Sequence, residues 1–309
     1  MKEKLTLVVP CFNEQETIEI FYREVGKYAG QIPAEIEFCF VDDGSTDDTL
    51  AIMRRLHEQD ERVHYVSFSR NFGKEAGLLA GLEMATGDYI CTMDVDLQDP
   101  PSLLPEMWNI LHGDEGYDCV ATRRSSRKGE PKVRSWFARK FYALINHVSD
   151  TEIVDGARDF RMMSRKMKDA VIEDREYNRF SKGIFSWVGF RTKWLSYENI
   201  ERSAGQTKWS FFKLTRYAID GILAYSTVPL MIASFVGLLF FVISLCALLF
   251  IVIRALLFSD PVAGWPSLVS IILFLGSLQL LCMGIMSMYI SKIYLETKKR
   301  QMYIIREKK

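Results

Sequence analysis

Two runs of 26 residues, Val228 to Ile253 and Trp265 to Ile290, contain no charged side chain. A bilayer core about 30 Å thick needs about 20 apolar residues at a helical rise of about 1.5 Å each. Both runs exceed that length, and in lipid only a helix satisfies its own backbone within one segment. They read as two transmembrane helices, the alternative being a buried helical hairpin in a soluble core. Lys208, Lys213 and Arg216 precede the first run, and Lys292, Lys298, Lys299, Arg300, Lys308 and Lys309 follow the second. The connecting loop has only Arg254 and Asp260, so the excess of Lys and Arg puts both termini on the cytoplasmic side of a cell membrane. Met1 to Pro10 leads straight into a strand-like run and reads as no signal peptide. The six cysteines show no CxxC spacing and read as reduced, packed thiols. The 39 basic and 39 acidic residues balance, which gives no argument for a nucleic-acid partner.

The first half alternates strand and helix signals. Strands are predicted at Leu5–Val9, Ile36–Val41, Val63–Phe68 and Tyr89–Met93. Between them helices are predicted at Glu14–Tyr28, up to Leu56 behind an Asp47 or Asp48 cap, and over Lys74–Thr86. This order implies right-handed βαβ units and a mostly parallel sheet covered on both faces. Ligands of such sheets sit beyond the carboxyl ends of the strands, and there the carboxylates Glu14, Asp42, Asp43, Asp94 and Asp96 gather. No GxGxxG follows the first strand, which disfavours an NAD-type fold.

Asp94 and Asp96 are two apart and leave a regular strand on one side, with Gln98 in the turn beyond. Such an oxygen set suits Mg²⁺ or Mn²⁺ bridging carboxylate to diphosphate; the alternative is a cap or turn around Asp99-Pro100-Pro101. Asp42-Asp43-Gly44-Ser45 can accept hydrogen bonds from a nucleoside, or can be a helix-capping turn. After residue 120 the chain turns basic and aromatic. Arg123, Arg124, Arg127, Lys128, Lys132, Arg134, Arg139 and Lys140 fall within eighteen positions. A helix of about 134–147 and another over 211–226 read as amphipathic helices in the headgroup layer. His57, His64, His112 and His147 lack ligand spacing, and Trp187, Trp194 and Trp209 read by default as core residues, the alternative being the headgroup level or the acceptor site.

Val8-Val9-Pro10-Cys11-Phe12-Asn13-Glu14, Val41-Asp42-Asp43-Gly44-Ser45-Thr46-Asp47 and Asp94-Val95-Asp96-Leu97-Gln98-Asp99-Pro100 resemble the three successive signatures of family 2 glycosyltransferases with the GT-A fold. Ser69-Arg70-Asn71-Phe72-Gly73-Lys74-Glu75 and Tyr294-Leu295-Glu296-Thr297-Lys298-Lys299-Arg300 resemble the bacterial polyprenyl-phosphate (bactoprenol) branch, related to dolichyl-phosphate mannose synthase. The resemblance implies an α/β nucleotide-diphospho-sugar transferase domain over 1–210, interfacial helices, and a two-span hairpin with its tail over 227–309. It places Pro10, Glu14, Asp42 and Asp43 at the nucleoside, with Lys74, Asp94, Arg202 and Lys208 also on the donor side. Asp96, Gln98 and Asp94 are the implied metal set, and Asp159 the acceptor-side carboxylate. Arg202 to Lys208 is the implied loop that closes on the donor.

The implied reaction is inverting transfer of a hexose, glucose or N-acetylglucosamine, from a UDP-sugar to undecaprenyl phosphate, for decoration of a cell-envelope glycan. An acceptor phosphate monoester with a second pKa of about 6 is already an anion at neutral pH, so Asp159 is read as orienting the acceptor rather than as a strong base. Arg123, Arg134 and Arg161 are candidates for the lipid phosphate, since a guanidinium donates two parallel hydrogen bonds to it. Gly237, Gly276 and Gly284 in the spans permit helix packing and so a homo-oligomer. A processive polysaccharide synthase is the alternative within enzymes, and it calls for more spans and a Gln-x-x-Arg-Trp segment. A non-catalytic scaffold is the other, and it calls for lost metal carboxylates.

Overall fold

The computed structural model describes residues 2–124, 154, 156–177, 179–197 and 265–309, with scattered positions between 230 and 253. Its centre is one eight-stranded sheet of order β7-β5-β6-β4-β1-β2-β3-β8. The strands are β1 (Lys4–Cys11), β2 (Glu35–Asp42), β3 (Val63–Phe68), β4 (Tyr89–Thr92), β5 (Cys119–Arg124), β6 (Ala157–Ser164), β7 (Thr192–Tyr197) and β8 (Ile305–Lys308). β1 to β4 are mutually parallel, while β6 runs antiparallel to both β4 and β5. β1 is almost wholly buried, as a near-continuous apolar run in a sheet covered on both faces must be. Pairing with β4 uses only Leu5 to Val8, so Pro10, which has no N–H, lies beyond that ladder.

The helices follow the apolar spacing. α1 (Ile18–Ala29) buries Ile18, Phe21, Val25 and Ala29, a stripe at i, i+3, i+7 and i+11. It starts four residues later than the sequence pattern suggests, because Glu14 to Thr17 form a turn in which the Glu14 carbonyl accepts from Thr17 and Ile18 N–H. At α2 (Thr49–Gln59) Asp47, not Asp48, accepts from the Thr49 N–H. α3 (Lys74–Met84) is buried continuously from Ala76 to Leu82 and lies against β1 and β2. Its close approach depends on Gly81, where a Cβ would stand 2.3 Å from Val8 Cγ1. α4 (Leu104–Leu111), α5 (Arg165–Glu173) and α6 (Ser181–Trp187) complete the described helices that pack with the sheet.

α7 (Trp265–Thr297) is 33 residues long, and its stretch Phe274–Thr297 is the one helix among the described residues long and apolar enough to cross a membrane. None of that stretch is buried inside the protein, which sets aside the core-hairpin alternative for this run. Of the first uncharged run, the described positions between 230 and 253 are helical, and the rest lie outside the described residues. Phe240 meets Phe274 at 5.3 Å between ring centroids, so the two runs pack side by side. By length and composition α7 is one candidate span, and the two-span hairpin is an expectation of the sequence.

After α7 the chain returns to the catalytic sheet, which its sequence pattern did not suggest. β8 pairs antiparallel with the outer edge of β3. Arg54 grips Glu307 with two nitrogens, the Tyr65 hydroxyl donates to Glu307 at 2.5 Å, and Tyr303 stacks on Phe68 at 4.8 Å. At the helix end, both Glu296 oxygens accept from the Tyr177 N–H, at 2.9 and 3.1 Å. The tail thus closes an exposed sheet edge and ties the domain to the helix. The amphipathic helices expected at 134–147 and 211–226 fall outside the described residues.

Candidate active site

Successive strands fill the sheet outward from β1 to β3, and the chain then crosses by α3 to β4 on the other side of β1. The strand order therefore reverses between β1 and β4, and open α/β sheets bind their ligands at the carboxyl side of such a switch. The loops leaving β1, β2 and β4 there carry Asn13-Glu14, Asp42-Asp43 and Asp94 to Asp99.

The first two loops are laced together. Asn13, in the left-handed region at φ 54°, donates its N–H to Ser45 Oγ at 2.9 Å and accepts the Thr46 N–H at 2.9 Å. The Glu14 N–H donates to Thr49 Oγ1 at 2.8 Å, and Glu14 Oε2 accepts from the Thr17 hydroxyl at 2.7 Å. Asp42, 1% exposed, accepts from the Ser45 N–H and the Ser67 hydroxyl. Asp43, 4% exposed, accepts from the Phe72 and Gly73 N–H groups at 2.6 and 2.9 Å. Burial raises its pKa, against the lowering by those two bonds. Each of these carboxylate oxygens has a second lone pair, so building the loops leaves acceptor capacity for a nucleoside. Gly44 is required on steric grounds: at φ 66° a Cβ would stand 2.4 Å from the Arg70 carbonyl carbon.

Beyond β4, one ammonium joins the two sides of the site. Lys74 Nζ lies 2.7 Å from Asp94 Oδ1 and 2.5 Å from Asp159 Oδ2. Asp159 stands on β6, whose register sets Thr92 opposite Arg161. The Thr92 hydroxyl donates to the Asp159 carbonyl and pins that end of the pairing. Burial alone would raise Asp159, but the ammonium groups of Lys74 and Lys182 hold it well below the usual carboxylate range. Burial works to lower Lys74, and the carboxylates of Asp159 and Asp94 outweigh it and raise it. Lys182, on α6, is lowered by burial. Its helix is fixed to α3 by Glu75, which accepts from both the N–H and the hydroxyl of Ser181.

The turn after β4 differs from the sequence expectation at Gln98. The Gln98 N–H donates to Asp96 Oδ1 at 3.2 Å, but its side-chain oxygen accepts from Arg158 and Arg124 at 3.3 and 3.4 Å. Two guanidiniums thus meet at the Gln98 oxygen, while Asp94 meets the Lys74 ammonium. Leu97, directly after Asp96, has φ 55°, which costs a non-glycine residue about 1–3 kcal/mol and persists only where its surroundings enforce it. Asp99, read from sequence as turn chemistry, is buried, and burial raises its pKa despite the adjacent Arg158 guanidinium.

The arginine expectations divide. Arg123 donates to Ser196 Oγ at 2.9 Å. Arg161 is buried: at 3% exposure its guanidinium lies 3.8 Å from the centre of the Phe185 ring and donates to the Arg158 carbonyl. It is a packed cation behind Asp159, without the open face a lipid phosphate needs. Arg134, Arg202 and Lys208 lie outside the described residues. Trp187 is corrected, being 63% exposed instead of packed in the core, whereas Trp194 is partly buried against it. Sequence reading missed Lys182, Arg158 and Tyr197, each brought in by strand or helix placement and not by any motif.

Among the described residues no three His, Cys, Asp or Glu side chains gather closely enough to hold a metal. The approach of the Lys74 ammonium shows that the Asp94 carboxylate attracts positive charge.

A mostly parallel sheet with an acidic carboxyl edge at its switch point is a GT-A-like α/β fold. The model of the glycosyl transferase family 2 matches residues 6–171, and the chain belongs to that family. It is 42% identical over 306 residues to the bactoprenol glucosyl transferase of Shigella phage SfX, covering 99% of this chain and 100% of that one. It is 40% identical over 308 residues to the putative glycosyltransferase CsbB of Bacillus subtilis, covering 99% and 93%. Among solved structures, glucosyl-3-phosphoglycerate synthase from Mycobacterium tuberculosis superposes at a TM-score of 0.48 and 19% identity, over 72% of this chain and 78% of that one.

Proposed function

We propose that this glycosyltransferase moves a hexose from a UDP-sugar to a polyprenyl phosphate at the cytoplasmic face of a cell membrane, with inversion at the anomeric carbon. The observation that carries the reading is the meeting of Asp94, on the donor side, and Asp159, on the acceptor side, at one ammonium. The whole-length likeness to a bactoprenol glucosyl transferase supports the acceptor. The apolar surface of α7 and the return of β8 to the sheet support a domain held beside the membrane.

In this reading an oxygen of the acceptor phosphate attacks the anomeric carbon as the bond from that carbon to the diphosphate oxygen breaks. The bonding pair leaves on the diphosphate, and UDP departs. The acceptor is already anionic at neutral pH, with a second pKa of about 6, so no strong base is needed. Asp159, kept ionised by Lys74, orients the acceptor and takes any remaining proton. Asp94 and Asp96 would hold Mg²⁺ or Mn²⁺, which when bound would supply Lewis-acid stabilisation of the leaving diphosphate. Asp42, Asp43 and Glu14 bound the nucleoside side, and glucose or N-acetylglucosamine is the transferred sugar.

Purified protein incubated with labelled UDP-glucose or UDP-N-acetylglucosamine, undecaprenyl phosphate and Mn²⁺ should yield label extractable into organic solvent. No extractable label with either donor overturns the reading. Full turnover by Asp96→Ala overturns its metal assignment.

A further inference from the structure

We infer that Arg158 is the positioning residue of the acidic turn, gripping two consecutive side chains so that Asp94 and Asp96 are presented together. The inference rests on the metal reading above and deepens it. Arg158 Nε donates to Asp99 Oδ1 at 2.8 Å and Nη2 to Gln98 Oε1 at 3.3 Å. These two acceptors directly follow Leu97, the residue held in the left-handed region, and Gln98 also contacts Asp96 through its N–H. The Asp99 side chain is 0% exposed and takes the Tyr197 hydroxyl on the same oxygen as Arg158. A carboxylate so placed is kept charged only by a cation in a fixed position. The strand supplies that fixity, since the Arg158 carbonyl in turn accepts from Arg161 at 3.1 Å.

Arg158 and Asp159 are adjacent on β6 and leave the strand on opposite sides. One grips the turn that follows β4, and the other shares the Lys74 ammonium with Asp94. A single strand therefore sets both the donor-side turn and the acceptor-side carboxylate, and its register fixes the distance between them. Ion pairing alone does not achieve this. A lysine at 158 retains the charge but lacks the planar fork that satisfies two acceptors at once.

The test is Mn²⁺ binding to full-length protein in detergent with UDP present, read from the free Mn²⁺ electron paramagnetic resonance signal, alongside the thermal midpoint. Arg158→Lys is expected to weaken Mn²⁺ binding about tenfold, as loss of a group that orients metal ligands does, with a midpoint close to wild type. The double variant Asp99→Asn with Arg158→Gln removes both buried charges and is expected to show the same weakening, which covers the case in which Arg158→Lys fails to fold. Wild-type Mn²⁺ affinity in either folded variant overturns the positioning role. Absence of Mn²⁺ binding by the wild-type protein overturns the metal reading itself, a separate result.

Discussion

Replacing Lys74 with glutamine removes the ammonium shared by Asp94 and Asp159 and separates two effects that other substitutions confound. The Lys74 side chain is 45% exposed, so each of its contacts is discounted for screening to about 1 kcal/mol. A divalent ion approaching Asp94 has to displace this ammonium, and without it metal binding should tighten about fivefold, the factor that about 1 kcal/mol represents. Turnover should move the other way. Asp159 loses the cation that orients it and keeps it ionised, and misplacement of an orienting group costs up to about 10²-fold. The assay is label transfer to the lipid across a Mn²⁺ titration, with Lys74→Arg as the control that retains the charge. Lower turnover together with a lower Mn²⁺ half-saturation supports the shared-cation arrangement. Unchanged turnover, or a half-saturation that rises, refutes it.

Gly81→Val should lower the unfolding midpoint by an amount equivalent to about 1–3 kcal/mol, the cost of overpacking, because its Cβ would meet Val8 at 2.3 Å; a midpoint equal to wild type would show that α3 does not lie so close. Glu307→Ala removes the Arg54 and Tyr65 contacts, and hydrogen exchange at the Tyr65 and Lys309 amides, which bond each other's carbonyls across the β3–β8 edge, should speed up. The Arg54 guanidinium holds Glu307 down at about 2, so its contribution is present above its ordinary value of 4.5 and is lost as pH falls through about 2. Burial, with Asp174 and Glu296 adding repulsion, lifts Glu176 to about 7. The folded protein then holds a proton that the unfolded chain has released, so between pH 4.5 and about 7 stability falls as pH rises. Calorimetry across that range should show the decline in wild type and a flatter profile in Glu176→Gln.

The amino-acid sequence by itself determined the alternating α/β order, the strand ends at which carboxylates gather, and the apolar length of α7. These are local properties: period-2 and period-3.6 patterning, turn chemistry after Asp42 and Asp94, and an uncharged run compared with the thickness of a bilayer. The three acidic loops fall at a switch point because the chain crosses from β3 to β4 over β1, and the alternating pattern was enough to anticipate that edge.

Only the tertiary structure decided which charges meet. Lys74 begins α3 and Asp159 lies 85 residues later on an antiparallel strand, and no spacing rule joins them. The same holds for Arg158 with Asp99, and for Glu307 with Arg54, 253 residues apart. Arg161 and Trp187 show the converse. One is a buried cation and the other an exposed indole, because burial depends on what packs across the sheet and not on residue type. The acidic edge could be read along the chain, but the counter-ions that shape it are set by strand register.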